Sequence, residues 1–351
     1  MPQGSHRLVA EITTGLEPEG VAVDTRGRRA FVSCARSNVI TVVDLDGCTV
    51  TGEVAVGHEP MDIVYDEATG RVFTADLLAE TVSVVDGTTL SLIASVPVGH
   101  YPSGLTLDAE RRRMYCGCAL SSTVAVIDVD ALEAVTSVPA EPGAGAIAVD
   151  TERSRVYCAN FLAGSVTVID GEENRALEEV QVGAAPCAVA VNPLHNEVYI
   201  ANSFADTVTR IDLDTLAVRG TMKVDRTPVG AAVGPAGDRL YVSSRGAGTV
   251  SVLGAADGLE WARVPVGEGP GGVTIDHGTG HVLVANAGTG SLTVFEDLLG
   301  GPPVTASVEQ QHELVGRQLP PFALPDLRTE LVRTSREWAE RKYILNFFAS
   351  W

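Results

Sequence analysis

A repeat of 42 residues runs through most of this chain without a change of step. Proline marks six of its seven equivalent positions: Pro18, Pro60, Pro102, Pro186, Pro228 and Pro270. The remaining position is Ala144. An aromatic residue or leucine keeps the same step at Phe31, Phe73, Tyr115, Tyr157, Tyr199, Tyr241 and Leu283. A repeat of this length indicates stacked supersecondary units that bury one another's apolar faces.

Each repeat has the pattern of four short strands. In the second repeat, runs rich in β-branched residues occupy 61–65, 71–75, 81–85 and 93–98, with turn residues between them. No segment before residue 300 shows a helical apolar period. Four strands in a repeat of about 40 to 45 residues are typical of a propeller blade. The sequence therefore predicts an all-β fold, a seven-bladed β-propeller over residues 1–301.

The two ends of the repeat array predict how the ring closes. Residues 11–18 align with residues 53–60, which makes them a fourth strand placed before the first blade. The last repeat, which begins at Pro270, supplies only three strands before Leu298. We therefore expect the N-terminal strand to complete the seventh blade and to remove the free sheet edges.

The second strands carry a shared motif that points to a family. It reads Tyr157-Cys158-Ala159-Asn160, Tyr199-Ile200-Ala201-Asn202 and Leu283-Val284-Ala285-Asn286. These repeats resemble the YVTN-type β-propeller family over residues 11–300, whereas the signature of WD40 blades is absent. The resemblance implies the propeller fold. It implies little about chemistry, because such propellers serve both as binding scaffolds and as enzymes.

The charge of the chain limits its partners. The net charge is −20, and the 50 residues from 302 onward hold equal numbers of acidic and basic residues. The propeller therefore carries the whole excess, with Lys223 as its single lysine. Such a field repels phosphate backbones and favours cations and basic partners. We expect no nucleic-acid binding.

No targeting segment or membrane span is visible in the sequence. Residues 1–18 lack a basic start followed by an apolar run, and no 18-residue apolar stretch occurs. We expect a cytoplasmic protein as the sequence is written, or an extracytoplasmic one if a leader has been removed. The oligomeric state is left open.

The C-terminal region has a different character. Residues 302–315 read as a linker, and Thr334-Ser335-Arg336-Glu337 as a capping box that opens a helix. A strand is expected at 343–351, which ends Asn346-Phe347-Phe348-Ala349-Ser350-Trp351. Residues 316–351 resemble the opening of redoxin domains of the thioredoxin superfamily, in which this run leads directly into Cys-x-x-Cys. The resemblance implies either a truncated propeller–redoxin fusion or a redoxin stub, since this segment contains no cysteine.

The functional face of the propeller is expected where the loops before each first strand meet those between second and third strands. Loops on a rigid scaffold carry function because their sequence is free to vary. The binding candidates on this face are Glu17, Glu59, Tyr101, Phe161, Phe204, Arg226 and Arg245. The arginines suit a carboxylate or phosphate and the aromatic residues an apolar ligand, although surface solvation and loop packing explain both sets as well.

One group on the same face suits a divalent metal. His58 and His100 hold the same register in neighbouring blades, and Asp62 and Asp76 belong to the same sector. Two imidazoles with carboxylates would suit zinc, iron or copper. The alternative is that these histidines cap loop backbone groups. The six cysteines read as small buried thiols, with a soft-metal site at Cys116 and Cys118 as the other possibility.

Two functions from different classes follow from the sequence. The first is a binding module that recognises a small molecule or protein at the channel mouth. The second is an enzyme, a metal-dependent oxidoreductase, lyase or hydrolase, with its active site around His58 and His100. The first is favoured because no recognised catalytic motif is present.

Overall fold

The computed structural model describes residues 6–299 and, beyond them, the backbone of residues 323–325 and 332–334. Between residues 6 and 299 the chain forms seven four-stranded antiparallel sheets. Each sheet is one blade, and we call its strands A to D from the channel outward. The predicted seven-bladed, all-β propeller is confirmed.

The first four blades follow the chain in order. Blade 1 contains β2 (Pro18–Asp24), β3 (Arg29–Cys34), β4 (Val39–Asp44) and β5 (Thr49–Ala55). Blade 2 contains β6 (Pro60–Asp66), β7 (Arg71–Asp76), β8 (Thr81–Asp86) and β9 (Ser91–Pro97). Blade 3 contains β10 (Pro102–Asp108), β11 (Arg113–Cys118), β12 (Thr123–Asp128) and β13 (Glu133–Pro139). Blade 4 contains β14 (Ala144–Asp150), β15 (Arg155–Asn160), β16 (Ser165–Asp170) and β17 (Arg175–Gln181).

The last three blades complete the ring. Blade 5 contains β18 (Pro186–Asn192), β19 (Glu197–Asn202), β20 (Thr207–Asp212) and β21 (Val218–Lys223). Blade 6 contains β22 (Pro228–Val233), β23 (Arg239–Ser244), β24 (Thr249–Gly254) and β25 (Glu260–Pro265). Blade 7 contains β26 (Pro270–Ile275), β27 (His281–Asn286), β28 (Ser291–Asp297) and, as its outer strand, β1 (His6–Thr13).

Closure of the ring follows the predicted scheme. Strand β1 pairs antiparallel with β28, and Thr13 lies opposite Ser291. The closing strand spans residues 6–13, so it begins earlier than the alignment of residues 11–18 indicated. Because strands from both ends of the propeller share one sheet, blade 7 has four strands like the other blades, and β28 is not left as an edge.

The core lies between neighbouring blades. The B and C strands are almost wholly buried, whereas the D strands expose most of their side chains. The repeated aromatic position of the B strands is buried in every blade, as in Phe31, Tyr115 and Tyr199. The A strands pack on one another around the central channel. A loop cluster at each end of the channel is therefore held on a rigid ring.

Arginines on the B strands tie successive blades together. Arg113 Nη1 donates to the carbonyl oxygen of Gly171 in the C–D turn of the next blade at 2.7 Å. Arg71 donates to Val129 in the same way at 3.0 Å. The Tyr115 hydroxyl adds a second donor to the Gly171 oxygen at 3.1 Å. Hydrogen bonds from charged donors are stronger than neutral ones, so each arginine clamps one blade to the next.

The remaining described elements are short. Two 3₁₀ turns occupy Ala35–Ser37 and Pro193–His195. Among the residues that the structure describes, no helix has the length and apolar character needed to cross a membrane. In a separate unit of the chain, β29 (Ala323–Pro325) pairs with β30 (Val332–Thr334).

The C-terminal expectations fall largely outside this description. The linker at 302–315, the capping box at 334–337 and the strand at 343–351 lie outside the described residues, apart from the backbone of Thr334. The redoxin-like segment 316–351 is described only through the backbone of β29 and β30.

Candidate functional site

One face of the propeller gathers two sets of loops, as expected. In each blade the loop that enters strand A accepts a backbone hydrogen bond from the loop between strands B and C. Leu77 N–H donates to Glu59 O at 2.9 Å in blade 2, and Phe161 N–H donates to Gly143 O at 3.0 Å in blade 4. The same bond recurs in all seven blades. The two loop sets therefore form one continuous surface around the channel mouth, which we call the upper face.

A break in the ladder shapes the channel wall. We call the first residue of each A strand, the repeated proline or Ala144, the anchor of its blade. The pairing of strands A and B shifts register just after the anchor of every blade, for example between Pro60 and Asp62. Such a β-bulge bends the strand and re-aims a side chain. The side chains beside these shifts line a cavity of about 630 Å³ at the upper end of the channel.

The wall of this cavity is mainly apolar. Its apolar side chains include Met61, Ile147, Val189, Val229 and Val273. At its rim stand Tyr101, Leu120, Phe161 and Leu162. The Phe161 ring meets that of Phe204 edge to face, with 5.6 Å between centroids. Leu120, Leu162 and Phe204 expose 65%, 70% and 74% of their surface, so the cavity opens onto an apolar rim.

An ion pair crosses the cavity on one side. Arg245, from the B–C loop of blade 6, donates from Nη2 to Oε2 of Glu19 in blade 1. The arginine passes over blade 7, where Gly271 leaves room: a Cβ there would lie 3.3 Å from Arg245 Nη2 and 2.7 Å from Glu19 O. Burial raises the pKa of Glu19, and Arg245 opposes this shift. The pair is therefore neutral overall and fixed in place.

Asp62 is the second acidic group of the cavity. Its Oδ1 accepts the Ile63 N–H at 2.8 Å, and its Oδ2 accepts the Leu105 N–H of blade 3 at 2.8 Å. Burial raises the pKa of this carboxyl to about 6, and the two backbone hydrogen bonds counteract the shift only in part. Asp62 still contacts the cavity, because its exposure is intermediate. It is a carboxylate near neutral pH in a mainly apolar cavity.

The predicted metal site is not assembled. Asp76 is buried inside blade 2, where its carboxylate accepts hydrogen bonds from Thr74, Thr81 and Ser83. His100 is exposed and pairs through Nδ1 with Glu80 Oε1 at 2.7 Å. His58 is also exposed, and neither histidine lines the cavity. Among the described residues, no group of three or more His, Cys, Asp or Glu side chains is arranged to hold a metal ion.

The cysteines are free thiols. Cys34, Cys116, Cys118 and Cys158 are buried, and Cys48 and Cys187 are partly exposed. Burial raises the pKa of Cys158 and raises that of Cys187 to about 11. Cys187 lines the cavity and directs its thiol to the Pro228 carbonyl oxygen at 3.0 Å. The expected packing of cysteines as small apolar residues describes the buried ones well.

The binding candidates divide into two groups. Tyr101 and Arg245 line the cavity with Phe161, and Phe204 extends its rim. Glu17 instead pairs with Arg36 at 2.9 Å on the exposed surface.

Two further candidates also stand apart from the cavity. Arg226 Nη2 donates to the Gly246 carbonyl oxygen at 3.0 Å. Glu59 donates its backbone N–H to Asn38 Oδ1 at 2.9 Å. These two residues belong to the upper face but do not line the cavity.

Two features were missed at the sequence level. Glu19 lies one residue after its anchor proline, where the other blades carry no charged residue, and that contrast was readable. Leu78, Leu120, Leu162 and Phe204 share one register in blades 2 to 5, whereas Arg36, Gly246 and Gly288 take that place in the other blades. The apolar half of the rim was therefore also readable.

Comparison with known proteins agrees with this architecture. A model of the YNCE-like beta-propeller family matches residues 5–196, more than half of the chain. The chain belongs to the YNCE-like beta-propeller family. Among solved structures it is similar to Kuenenia stuttgartiensis hydrazine synthase, with 22% identity and a TM-score of 0.74 over 86% of this chain and 100% of that one. At this identity the likeness shows the fold alone. No curated protein matches the sequence.

Proposed function

We propose that this member of the YNCE-like family is a binding module that takes a small amphipathic molecule into the cavity at the upper end of its channel. The observation that carries the proposal is the cavity itself, with a volume of about 630 Å³ and a mainly apolar wall. Pockets of roughly 300–1,000 Å³ with such a wall and a few fixed polar groups are typical of small-molecule sites. Here the fixed polar groups are Asp62 and the Glu19–Arg245 pair.

The rim supports the same proposal. Leu120, Leu162 and Phe204 are large apolar side chains with most of their surface in water. Contiguous exposed apolar surface around a groove marks a binding region. It would receive the apolar part of a ligand before that part enters the channel.

The enzyme alternative has no comparable support. It rests on His58 and His100, which are exposed and do not line the cavity. A pair of catalytic groups must converge within hydrogen-bond reach of a substrate. His100 is directed instead to Glu80.

Binding of a neutral apolar dye tests the function. Nile red fluorescence is expected to rise on addition of the protein and to saturate at one site. Ala119→Trp places a large ring in the cavity from the B–C loop of blade 3, and we expect it to weaken binding at least about tenfold. Ala68→Trp is the matched control, because Ala68 is exposed at the other end of the channel. The function is refuted if the dye does not bind, or if both variants bind it as the wild type does.

We also propose, on the resemblance of residues 316–351 to the opening of a redoxin domain, that the propeller is one part of a propeller–redoxin fusion. Such a fusion would hold the bound molecule near a tethered thiol–disulfide centre. The intact mass of the protein from its native source, together with the DNA beyond codon 351, tests this. Continuation into Cys-x-x-Cys supports the fusion, and a chain that ends at Trp351 refutes it.

A further inference from the structure

Asp62 breaks the near-symmetry of the channel wall. The residue two places after the anchor is small in the other six blades and has no side chain larger than a methyl group. The seven equivalent residues are Gly20, Asp62, Gly104, Ala146, Ala188, Gly230 and Gly272. A single carboxylate therefore projects from a ring of glycines and alanines.

The small residues of this ring have a packing reason. A Cβ at Gly104 would lie 2.5 Å from the Gly145 carbonyl oxygen of the next blade, and one at Gly230 would lie 2.6 Å from the Gly271 oxygen. Contacts this short do not occur in real side chains, so neighbouring A strands leave little room at this register. Asp62 fits because its carboxylate bridges to blade 3 by accepting the Leu105 N–H.

Those backbone bonds leave part of the carboxylate unused. Each carboxylate oxygen can accept about two hydrogen bonds, and each Asp62 oxygen accepts one from the backbone. Within residues 6–299, no arginine, lysine or histidine forms an ion pair with Asp62. By contrast, Glu19 already has Arg245. The lining thus carries one uncompensated negative charge.

An uncompensated carboxylate in a mainly apolar cavity is stabilised by a cation that donates hydrogen bonds to it. We infer that the ligand of this cavity is an organic monocation, a protonated amine on an apolar body, whose ammonium group binds Asp62. The inference rests on the proposed binding function and names its ligand class. The apolar wall and rim hold the body of the ligand, and Asp62 selects its head group.

Other ligand classes fit the lining less well. A divalent metal ion needs several oxygen or nitrogen ligands at once; the lining adds the Ser103 hydroxyl to Asp62, but among the described residues no three His, Cys, Asp or Glu side chains are grouped to hold a metal ion. An anion would have to compete with Glu19 for Arg245 and would meet Asp62 in the same cavity. The net charge of −20 also raises the local concentration of cations rather than anions.

Three compounds with one apolar body test the head-group preference. Isothermal titration calorimetry at pH 7.5 compares 4-phenylbutylamine, 4-phenylbutanol and 4-phenylbutyrate. We expect the amine to bind at least about tenfold more tightly than the alcohol, since a charged hydrogen bond adds this much. We expect the carboxylate to bind more weakly than the alcohol.

Two variants locate the effect. Asp62→Asn is expected to bring the affinity for the amine down to that for the alcohol and to leave the alcohol unchanged. Glu59→Gln removes the same charge from the upper face outside the cavity and should leave all three affinities as in the wild type. The comparison of amine with alcohol in the unchanged protein decides the matter even if Asp62→Asn does not fold.

The outcomes separate the two proposals. If the alcohol or the carboxylate binds as tightly as the amine, or if Asp62→Asn keeps full amine affinity, the cation inference is wrong and the binding module stands. If none of the three compounds binds and none displaces Nile red, the inference is also overturned. The binding function itself is wrong if Nile red fails its own test.

Discussion

The Asp62 carboxyl should make the stability of the propeller fall as the pH rises towards neutrality. Burial raises its pKa from 3.8 to about 6. Because this pKa is higher in the folded than in the unfolded chain, the folded state favours the neutral acid. The contribution is fully present below about pH 4 and is lost as the pH rises from about 4 to about 6.

The magnitude follows from the shift. A difference of about two pKa units corresponds to roughly 3 kcal/mol in the free energy of unfolding at neutral pH. Asp62 still contacts the cavity, and water there screens the charge, so we expect roughly 1–2 kcal/mol. Asparagine has the same shape and no charge; its single oxygen can accept the Leu105 N–H, whereas its NH2 group replaces the oxygen that accepts the Ile63 N–H. The loss of that acceptor costs the variant an amount of stability that does not depend on pH, so relative to the wild type Asp62→Asn should gain roughly 1–2 kcal/mol between pH 4 and pH 7.5.

Urea unfolding followed by far-ultraviolet circular dichroism measures this difference at pH 4, 5, 6 and 7.5. Subtraction of the variant from the wild type cancels the many other carboxyl groups, whose titration is common to both proteins. The free energy of unfolding of the variant minus that of the wild type should rise by roughly 1–2 kcal/mol from pH 4 to pH 7.5. A difference that does not change with pH would refute the reasoning. So would a wild type that gains on the variant as the pH rises, since that would require a cationic partner for Asp62.

Three further predictions concern the scaffold. Arg113→Met should lower the free energy of unfolding in urea by roughly 1–3 kcal/mol, because the Gly171 oxygen loses its charged donor; an unchanged midpoint would contradict the clamp. Ala185 has a φ of 55°, which is strained for a residue with a side chain, so Ala185→Gly should raise the free energy of unfolding by up to about 1 kcal/mol and with it the melting temperature. A lower melting temperature would show that loss of the methyl group outweighs relief of strain. An aromatic disulfide reagent should label Cys48 in the native protein and Cys158 only after unfolding, because Cys158 is fully buried and its pKa is raised; rapid native labelling of Cys158 would contradict this.

The architecture could be predicted from the sequence because every blade repeats the same local interactions. The anchor prolines and the buried aromatic position of the B strands recur at one spacing, so one blade explains the others. The turn aspartates behave as such a repeat should: Asp86 Oδ1 accepts the N–H groups of Thr88 and Thr89. Closure by the N-terminal strand was visible as a missing strand at one end and an extra strand at the other.

The site could be predicted only in part, because equivalent register does not make side chains converge. His58 and His100 occupy the same place in adjacent blades, yet neither lines the cavity. Asp76 lies in the same sector, but its carboxylate accepts hydrogen bonds from hydroxyl groups of its own blade. The ladder shift after the anchor carries Asp62 into the channel, and spacing alone does not show which way that shift aims a side chain.

The pairing of Arg245 with Glu19 was beyond sequence reasoning for a related reason. The two residues lie in blades 6 and 1, and their contact passes over the glycines of blade 7. It depends on the ring being closed, so no single repeat contains it. Interactions across the seam are properties of the whole propeller rather than of its unit.

Closure of blade 7 by strand β1 also gives two molecules a way to exchange this strand. Strand β1 is held in blade 7 chiefly by its ladder with β28, and it enters that sheet from the far end of the propeller sequence. Release of this one strand would leave β28 as an open edge of a sheet that is otherwise complete. A β1 strand from a second molecule carries the same sequence and would fit that edge equally well. Strand β1 of one molecule could therefore complete blade 7 of another. High protein concentration or a cut between β1 and β2 would favour this exchange.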